Sequence, residues 1–367
     1  MKKCKNITVL LLVTYLLVEM VCFIFIKTLY KEAHFPTFRF AYNYTKYDFS
    51  IAELSPHWGT WHYPEKYVEK KQCFEVEYHI NAFGARDKER TKLSDTSRVV
   101  FLGDSFIEGY GLNAEHRMTD LLEKKTNREM LNFACGYFTP TQELLLYRHL
   151  ASGFTHNTVV IGLLPFNDLV QDDSSFHEND RFVHYQPFYQ YSDNGYKLIY
   201  REENLDKSTF NKEGYASLQN TTGQRIRRFL KEFSFCYNIF QHIRYSKPIV
   251  NEQALPYSGY FDYTVPQLDK LTYILSLLKE AATGKQVIVV TIPVYNDFLR
   301  YDSGKKKSIA TELAGFCKEN GMEYVDLLSG FMERVKDPAS LYFTCDAHWN
   351  EKANNMAAEI ILPLLRK

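Results

Sequence analysis

From Arg98 onward the chain alternates short apolar runs with helix-spaced stretches, and few architectures satisfy that alternation. The runs are Val99–Leu102, Met130–Ala134, Val159–Leu164, Val287–Ile292 and Tyr324–Leu327. Each is short, continuous and mostly rich in β-branched residues, as strands buried on both faces are. Between them Met118–Lys125, Gln142–Leu150, Val265–Ala282 and Ser308–Asn320 carry helical spacing, and Asn354–Leu365 reads as a closing helix. Strand and helix in turn predict an α/β fold, a three-layer αβα sandwich with a parallel sheet of these five strands. Ligands of such sheets collect at the carboxyl ends of the strands.

The N-terminus has a different logic. Lys2, Lys3 and Lys5 precede Ile7–Ile26, which is apolar apart from Thr8, Thr14, Tyr15 and Glu19. At about 1.5 Å per residue this run spans the roughly 30 Å hydrocarbon layer. Its Leu, Ile, Val and Phe residues each favour insertion by about 0.3 to 0.6 kcal/mol, whereas Glu19 opposes it by at most about 3 kcal/mol. Insertion wins. The run is long for a signal-peptide core, no A-x-A site follows it, and Met20-Val21 ahead of Cys22 fits a lipoprotein site poorly. The expectation is a single-pass chain with residues 1–30 as cytoplasmic tip and uncleaved signal anchor, and the rest outside, in the periplasm or at the cell surface. A cleaved signal is the alternative.

Residues 31–97 read as an irregular aromatic-rich segment packed on the main domain, residues 98–367, which carries an insertion at about 170–264. In that insertion Phe182–Tyr191 and Tyr196–Tyr200 flank an Asp-Asn-Gly turn as a hairpin, and Arg225–Ile243 reads as one amphipathic helix. Lys+Arg and Asp+Glu are both 44, so no charge footprint for nucleic acid exists. Seven cysteines form no CxxC pair and no Cys/His zinc spacing, so neither a metal site nor a cysteine framework is expected.

Chemistry-bearing residues fall at the strand ends. Gly103-Asp104-Ser105 follows the first strand, Cys135-Gly136 the second, and Pro165-Phe166-Asn167-Asp168 the third; Cys345-Asp346-Ala347-His348-Trp349 precedes the last helix. A hydrolytic serine needs a base, a group to orient that base, and donors for the oxyanion. Ser105, His348 and Asp346 supply the first three. The amides of Ser105 and Gly136, with the Asn167 side chain, are the candidate oxyanion donors. The competing reading is a turn serine and a surface histidine. Asp104 reads as tying down its own turn, and Trp349 as packing beneath the loop. Tyr185, Tyr189 and Tyr191 are candidates for a sugar-stacking platform, though such hairpins also pack onto their domains. His57, His62, His177 and His184 read as loop or surface residues. Cys135 and Cys345 adjoin site residues and read as two free buried thiols, with a disulfide between them the alternative.

Taken together, Gly103-Asp104-Ser105, Gly136, Asn167-Asp168 and Asp346-x-His348 resemble the SGNH/GDSL hydrolase family, in its block order, across roughly residues 98–367. The Asn81-x-x-Gly84-x-Arg86 lead-in is similar to a membrane-anchored or secreted branch. The resemblance implies a flavodoxin-like fold, Ser105 as nucleophile, Gly136 and Asn167 as oxyanion donors, and His348 as base oriented by Asp346. It implies no cofactor and an acyl-ester substrate, O-acetyl groups of an extracytoplasmic glycan above all. Two residues depart from the pattern. Pro165 stands where the family has glycine, which puts the aim of Asn167 in question, and Phe106 replaces a packing leucine. A polysaccharide O-acyltransferase, fed by a membrane acyl-donor partner, would use the same site, and an inactive glycan-binding module is a further alternative.

Overall fold

A computed structural model of the chain describes residues 2–30, 33–36, 38, 53–55, 57–62, 64, 66–172, 186–200, 222–245, 257–301 and 307–366. Its frame is a sheet of β5 (Arg98–Leu102), β6 (Glu129–Asn132), β7 (Thr158–Leu163), β10 (Gln286–Thr291) and β11 (Glu323–Asp326). The spatial order is β6-β5-β7-β10-β11, and every neighbouring pair is parallel. Counted along the chain this is the 2-1-3-4-5 order of flavodoxin-like sheets. The expected strands are present, with bounds shifted by a residue or two. Val99 through Leu102 and Val159 through Ile161 are wholly inaccessible, as continuous apolar strands covered on both faces must be.

The covering helices come from the helix-spaced stretches. α3 (Met118–Thr126) packs against the closing helix α12 (Glu351–Leu365) on one face. On the other, α8 (Val265–Ala281) packs against α4 (Pro140–His149) and α10 (Ile309–Glu319). Helix starts follow side-chain chemistry. Thr264 and Gln267 cap α8 reciprocally, and Asn350 Oδ1 accepts the amides of Lys352 and Ala353 at the start of α12. The shorter helices α2 (Ser105–Glu108), α5 (Pro165–Gln171), α9 (Tyr295–Arg300) and α11 (Leu327–Met332) each begin where a strand of the sheet ends.

Ahead of the sheet, α1 (Lys2–Thr28) contains a stretch, Asn6–Thr28, long and apolar enough to cross a membrane. Two antiparallel ribbons follow, β1 (Glu53–Ser55) with β2 (Gly59–Trp61), and β3 (Lys66–Lys70) with β4 (Glu75–His79). Inserted after α5 are the ribbon β8 (Phe188–Ser192) with β9 (Gly195–Ile199), then α6 (Thr222–Phe233) and α7 (Phe235–Tyr245). The single helix expected over Arg225–Ile243 is thus two helices broken at Ser234. Among the cysteines, Cys345 is bonded to Cys73, and Cys135 is free and buried. That corrects the expectation of two free thiols at Cys135 and Cys345, and with it the view that cysteines tie nothing together.

The lead-in Asn81–Arg86 fastens the ribbons to the sheet. Asn81 Oδ1 accepts the amides of Phe83 and Ala85, and Gly84 (φ +80°) turns under Trp61, where a Cβ would meet the indole at 2.1 Å. Arg86 is then buried against the Tyr78 ring, its guanidinium carbon 3.4 Å from the centroid. Its fork donates to the carbonyls of Glu108, Gly109 and Leu112, which hold the turn after α2. Arg86→Met keeps the apolar stem but leaves those carbonyls without their donor. The expected loss is about 2 to 4 kcal/mol, read as a lowered urea or thermal midpoint of the detergent-solubilised chain; an unchanged midpoint would refute this account.

Candidate active site

Gly103 (φ +154°) lets the chain leave β5 tightly over Ile107, which a Cβ would approach to 2.4 Å. Asp104 caps α2, its Oδ1 accepting the Phe106 amide at 2.9 Å, as its sequence position suggested. Ser105 therefore sits at the start of a helix, at the carboxyl end of a central strand. On the other side of the site, Phe343 N–H donates to the His348 carbonyl, and a Tyr342–Trp349 bridge closes the loop ahead of α12. Trp349, 2% exposed, lies beneath that loop against Phe331 and Phe106.

These two loops meet. Ser105 Oγ donates to His348 Nε2 at 2.7 Å, across 243 residues of sequence. The other ring nitrogen, Nδ1, donates to Asp346 Oδ1, which also accepts the His348 amide at 3.0 Å. With Nδ1 carrying the proton, Nε2 presents a lone pair to the serine hydroxyl. Burial pushes the Asp346 carboxyl up. The hydrogen bond and charge of His348, with the Lys71 ammonium on Oδ2, outweigh burial and hold it well below the usual carboxylate range. Phe106 and Tyr110 both pack against the imidazole, with centroids at 4.9 and 4.6 Å.

The remaining candidates fall less uniformly. Asn167 stands in the first turn of α5, off the end of β7, the neighbour of β5. Pro165 occupies the first position of that helix, where a missing N–H costs nothing. Gly259 packs against its peptide, with room for no Cβ. The Gly136 amide donates to Glu108 Oε2 at 2.8 Å, so the donor offered by the sequence is already engaged. His62, expected near the surface, is buried behind it, with Nε2 3.4 Å from Cys135 Sγ and 3.8 Å from Glu108 Oε1. Burial lowers its pKa, and Glu108 pulls in the opposite direction. Tyr189 is buried against Tyr273, so it offers no stacking face; Tyr191 is 71% exposed at the ribbon tip, and Tyr185 lies outside the described residues.

Reading the sequence missed Lys71, Cys73 and Glu108. Glu108 carried a local hint, three residues beyond Ser105 on the same short helix. Lys71 and Cys73 sit in the β3–β4 turn and carried none. A cavity of about 920 Å³ flanks the triad loop, lined by Asp346, Phe343, Tyr295, Phe166, Lys71 and Lys231 among others. Among the described residues no group of His, Cys, Asp and Glu is arranged to hold a metal ion.

No protein-family model matches the sequence, and no curated protein does. Several of the solved structures it resembles are described as lipolytic proteins or acylhydrolases. One is a member of the lipolytic G-D-S-L family from Veillonella parvula, at 10% identity and TM-score 0.40, covering 73% of this chain and 97% of its own. A lipase/acylhydrolase from Enterococcus faecalis shows 11% identity and TM-score 0.40 over 74% and 95% of the two chains. A GDSL-like lipase from Bacteroides thetaiotaomicron gives 11% and 0.36 over 73% and 87%.

Lys71 gives that geometry a measurable signature. Its ammonium lies beside the Asp346–His348 pair, so it opposes a second positive charge on the imidazole. Lys71→Ala removes that opposition, so the acid limb of kcat/KM should move to higher pH, by roughly half a unit to one unit. Lys71→Arg should leave the limb in place. A limb that does not move in Lys71→Ala would show the ion pair to be electrostatically idle.

Proposed function

We propose that this chain is a serine ester hydrolase of the SGNH/GDSL kind, acting through an acyl-Ser105 intermediate. The observation that carries the proposal is the continuous relay from Ser105 Oγ through both nitrogens of His348 to Asp346. In this reading His348 takes the Ser105 proton as Oγ attacks the acyl carbonyl, and returns it to the leaving alcohol. Asp346 holds the ring and the charge it gains. The Ser105 amide and the Asn167 side chain receive the oxyanion; Gly136 joins them only when its amide exchanges Glu108 for substrate. Among acyl groups the reading favours O-acetyl esters of a glycan, which the aromatic walls of the flanking cavity suit.

The same proposal places the active site outside the cytoplasm, with α1 as an uncleaved anchor whose lysine end stays inside. The bond between Cys73 and Cys345 supports it, since stable disulfides belong to oxidising compartments. Alkylation of the denatured, unreduced chain from membranes should modify Cys135 and Cys317 and spare Cys73 and Cys345; labelling of all four would refute that compartment.

Transfer of the acyl group to a sugar hydroxyl instead of water would use the same intermediate, and the cavity beside Asp346 has room for such an acceptor. Incubation with an acetyl donor and a glycan, following free acetate against acetyl-glycan, separates the two outcomes. For the shared chemistry, a fluorophosphonate should label Ser105 and no other residue. Hydrolysis of a chromogenic acetyl ester should fall at least about 1,000-fold in Ser105→Ala, and wild-type activity should fall on acidification, because only a neutral base can take the serine proton. Unlabelled Ser105 with no turnover above the uncatalysed rate in either protein would leave only a binding module.

A further inference from the structure

α1 carries a single acid, Glu19, in an otherwise apolar run that ends at Ile26. Seven residues at about 1.5 Å each put its carboxyl about 10 Å inside the outer end of that run. Carboxylates at such depth are costly and need partners. The partners come from far along the chain. Ser234 Oγ donates to Glu19 Oε1 at 2.6 Å, and the amides of Phe235 and Cys236 donate to Oε2 at 2.6 and 3.3 Å. Ser234 is the break between α6 and α7, so Glu19 caps α7 from another helix.

The contact continues outward in register. Cys22 is hydrogen-bonded to Cys236, the Phe23 and Phe235 rings meet at 5.2 Å, and Tyr30 meets His242 at 5.5 Å. α7 therefore runs alongside α1 in the same direction, from the level of Glu19 to that of Tyr30. Ile226 and Phe229 on α6, and Phe240 and Ile243 on α7, are between 46% and 57% exposed, each pair three residues apart on one helix face. By sequence α6 also carries Arg225, Arg227, Arg228 and Lys231, the composition of helices that lie at anionic headgroups.

We propose that α6 and α7 form a helical hairpin seated in the outer leaflet, docked on the anchor through Glu19, with its apolar stripe against lipid acyl chains. The proposal rests on α1 being retained as an anchor. The depth of Glu19 decides the occupant: by the same rise Phe229 and Phe240 sit just inside the outer end of the apolar run and Ile226 and Ile243 at its rim, a level at which an apolar stripe beside a spanning helix meets the acyl-chain and headgroup boundary. Phe35 and Lys231 from this assembly line the cavity beside Asp346. The cleft thus opens at the bilayer surface, where a membrane-borne ester is presented without leaving it.

Full-length protein in phosphatidylcholine–phosphatidylglycerol vesicles tests this with its native cysteines. Copper–phenanthroline should join Cys22 to Cys236 within one chain, identified by mass after digestion. Glu19→Gln, which keeps an acceptor, should retain at least half the yield, and Glu19→Ala should lose it at least threefold. Depth is read separately: Ile243→Trp and Phe240→Trp should each add an emission component that doxyl-labelled lipids quench at least twofold more than the parent tryptophans. A vesicle-bound chain of intact mass with no cross-link, or with a cross-link and no added quenching, overturns the hairpin and leaves the anchor standing; the second result means protein covers the stripe. A mature chain lacking residues 1–26 overturns both.

Discussion

The hydrogen bond between Ser105 and His348 joins residues 243 positions apart, and it exists only because a parallel sheet delivers both loops to one edge. In such a sheet every strand ends on the same side, so the loops after β5, β6, β7 and β10 crowd together whatever their sequences. The burial of β5 and β7 fixes the register that aims those loops. Shifting either strand by one residue would turn apolar side chains from one helix layer to the other, a change with no tolerated middle state. The reactive geometry is in this sense a by-product of the core. Local chemistry then refines it: Gly103 for the tight exit, Asp104 for the cap, and Trp349 as the floor under the opposing loop.

A second support comes from outside the sheet. The β3–β4 ribbon reaches the triad through its turn, where Lys71 pairs with Asp346 and Cys73 is bonded to Cys345, the residue beside it. Asp346 is thus held by His348 on one oxygen and by a separately anchored cation on the other, which leaves its carboxylate little rotational freedom. Arg86 serves the Ser105 side in the same manner, holding the turn after α2 by its carbonyls. The aromatic segment ahead of the sheet, which looked irregular, braces both sides of the Ser105–His348 contact.

How much of this could be read in advance follows from the range of each interaction. The strands and their helices are local patterns, and the structure returns them with small changes of bounds. What escaped is long-range. The break at Ser234 is invisible in an amphipathic pattern that runs straight through it, because its cause, Glu19, lies 215 residues away. The pairing of Cys345 with Cys73 across 272 residues carries no spacing signal at all. Gly136 looked like an open donor because a glycine beside a strand end is common to free and engaged amides alike; the Glu108 carboxylate that occupies it lies on α2, after a different strand. Tyr189 and Tyr191 share a face of β8 by periodicity, yet the ribbon leaves the domain surface between them, so one is buried and the other exposed.

Beneath the site lies a group of acids that the triad does not use. Asp104 is pushed up to about 6, chiefly by burial, and burial also raises Glu143 and Asp168, with each other's charge adding to the effect. Burial thus favours the protonated over the charged form at Glu143 and Asp168. Asp346 is driven the opposite way by its two cationic neighbours and stays ionised. Environments that separate carboxyl groups so widely are how one site keeps its acid and base assignments distinct. Here the carboxylate held furthest below its ordinary range is the one in contact with the imidazole, where it orients the ring.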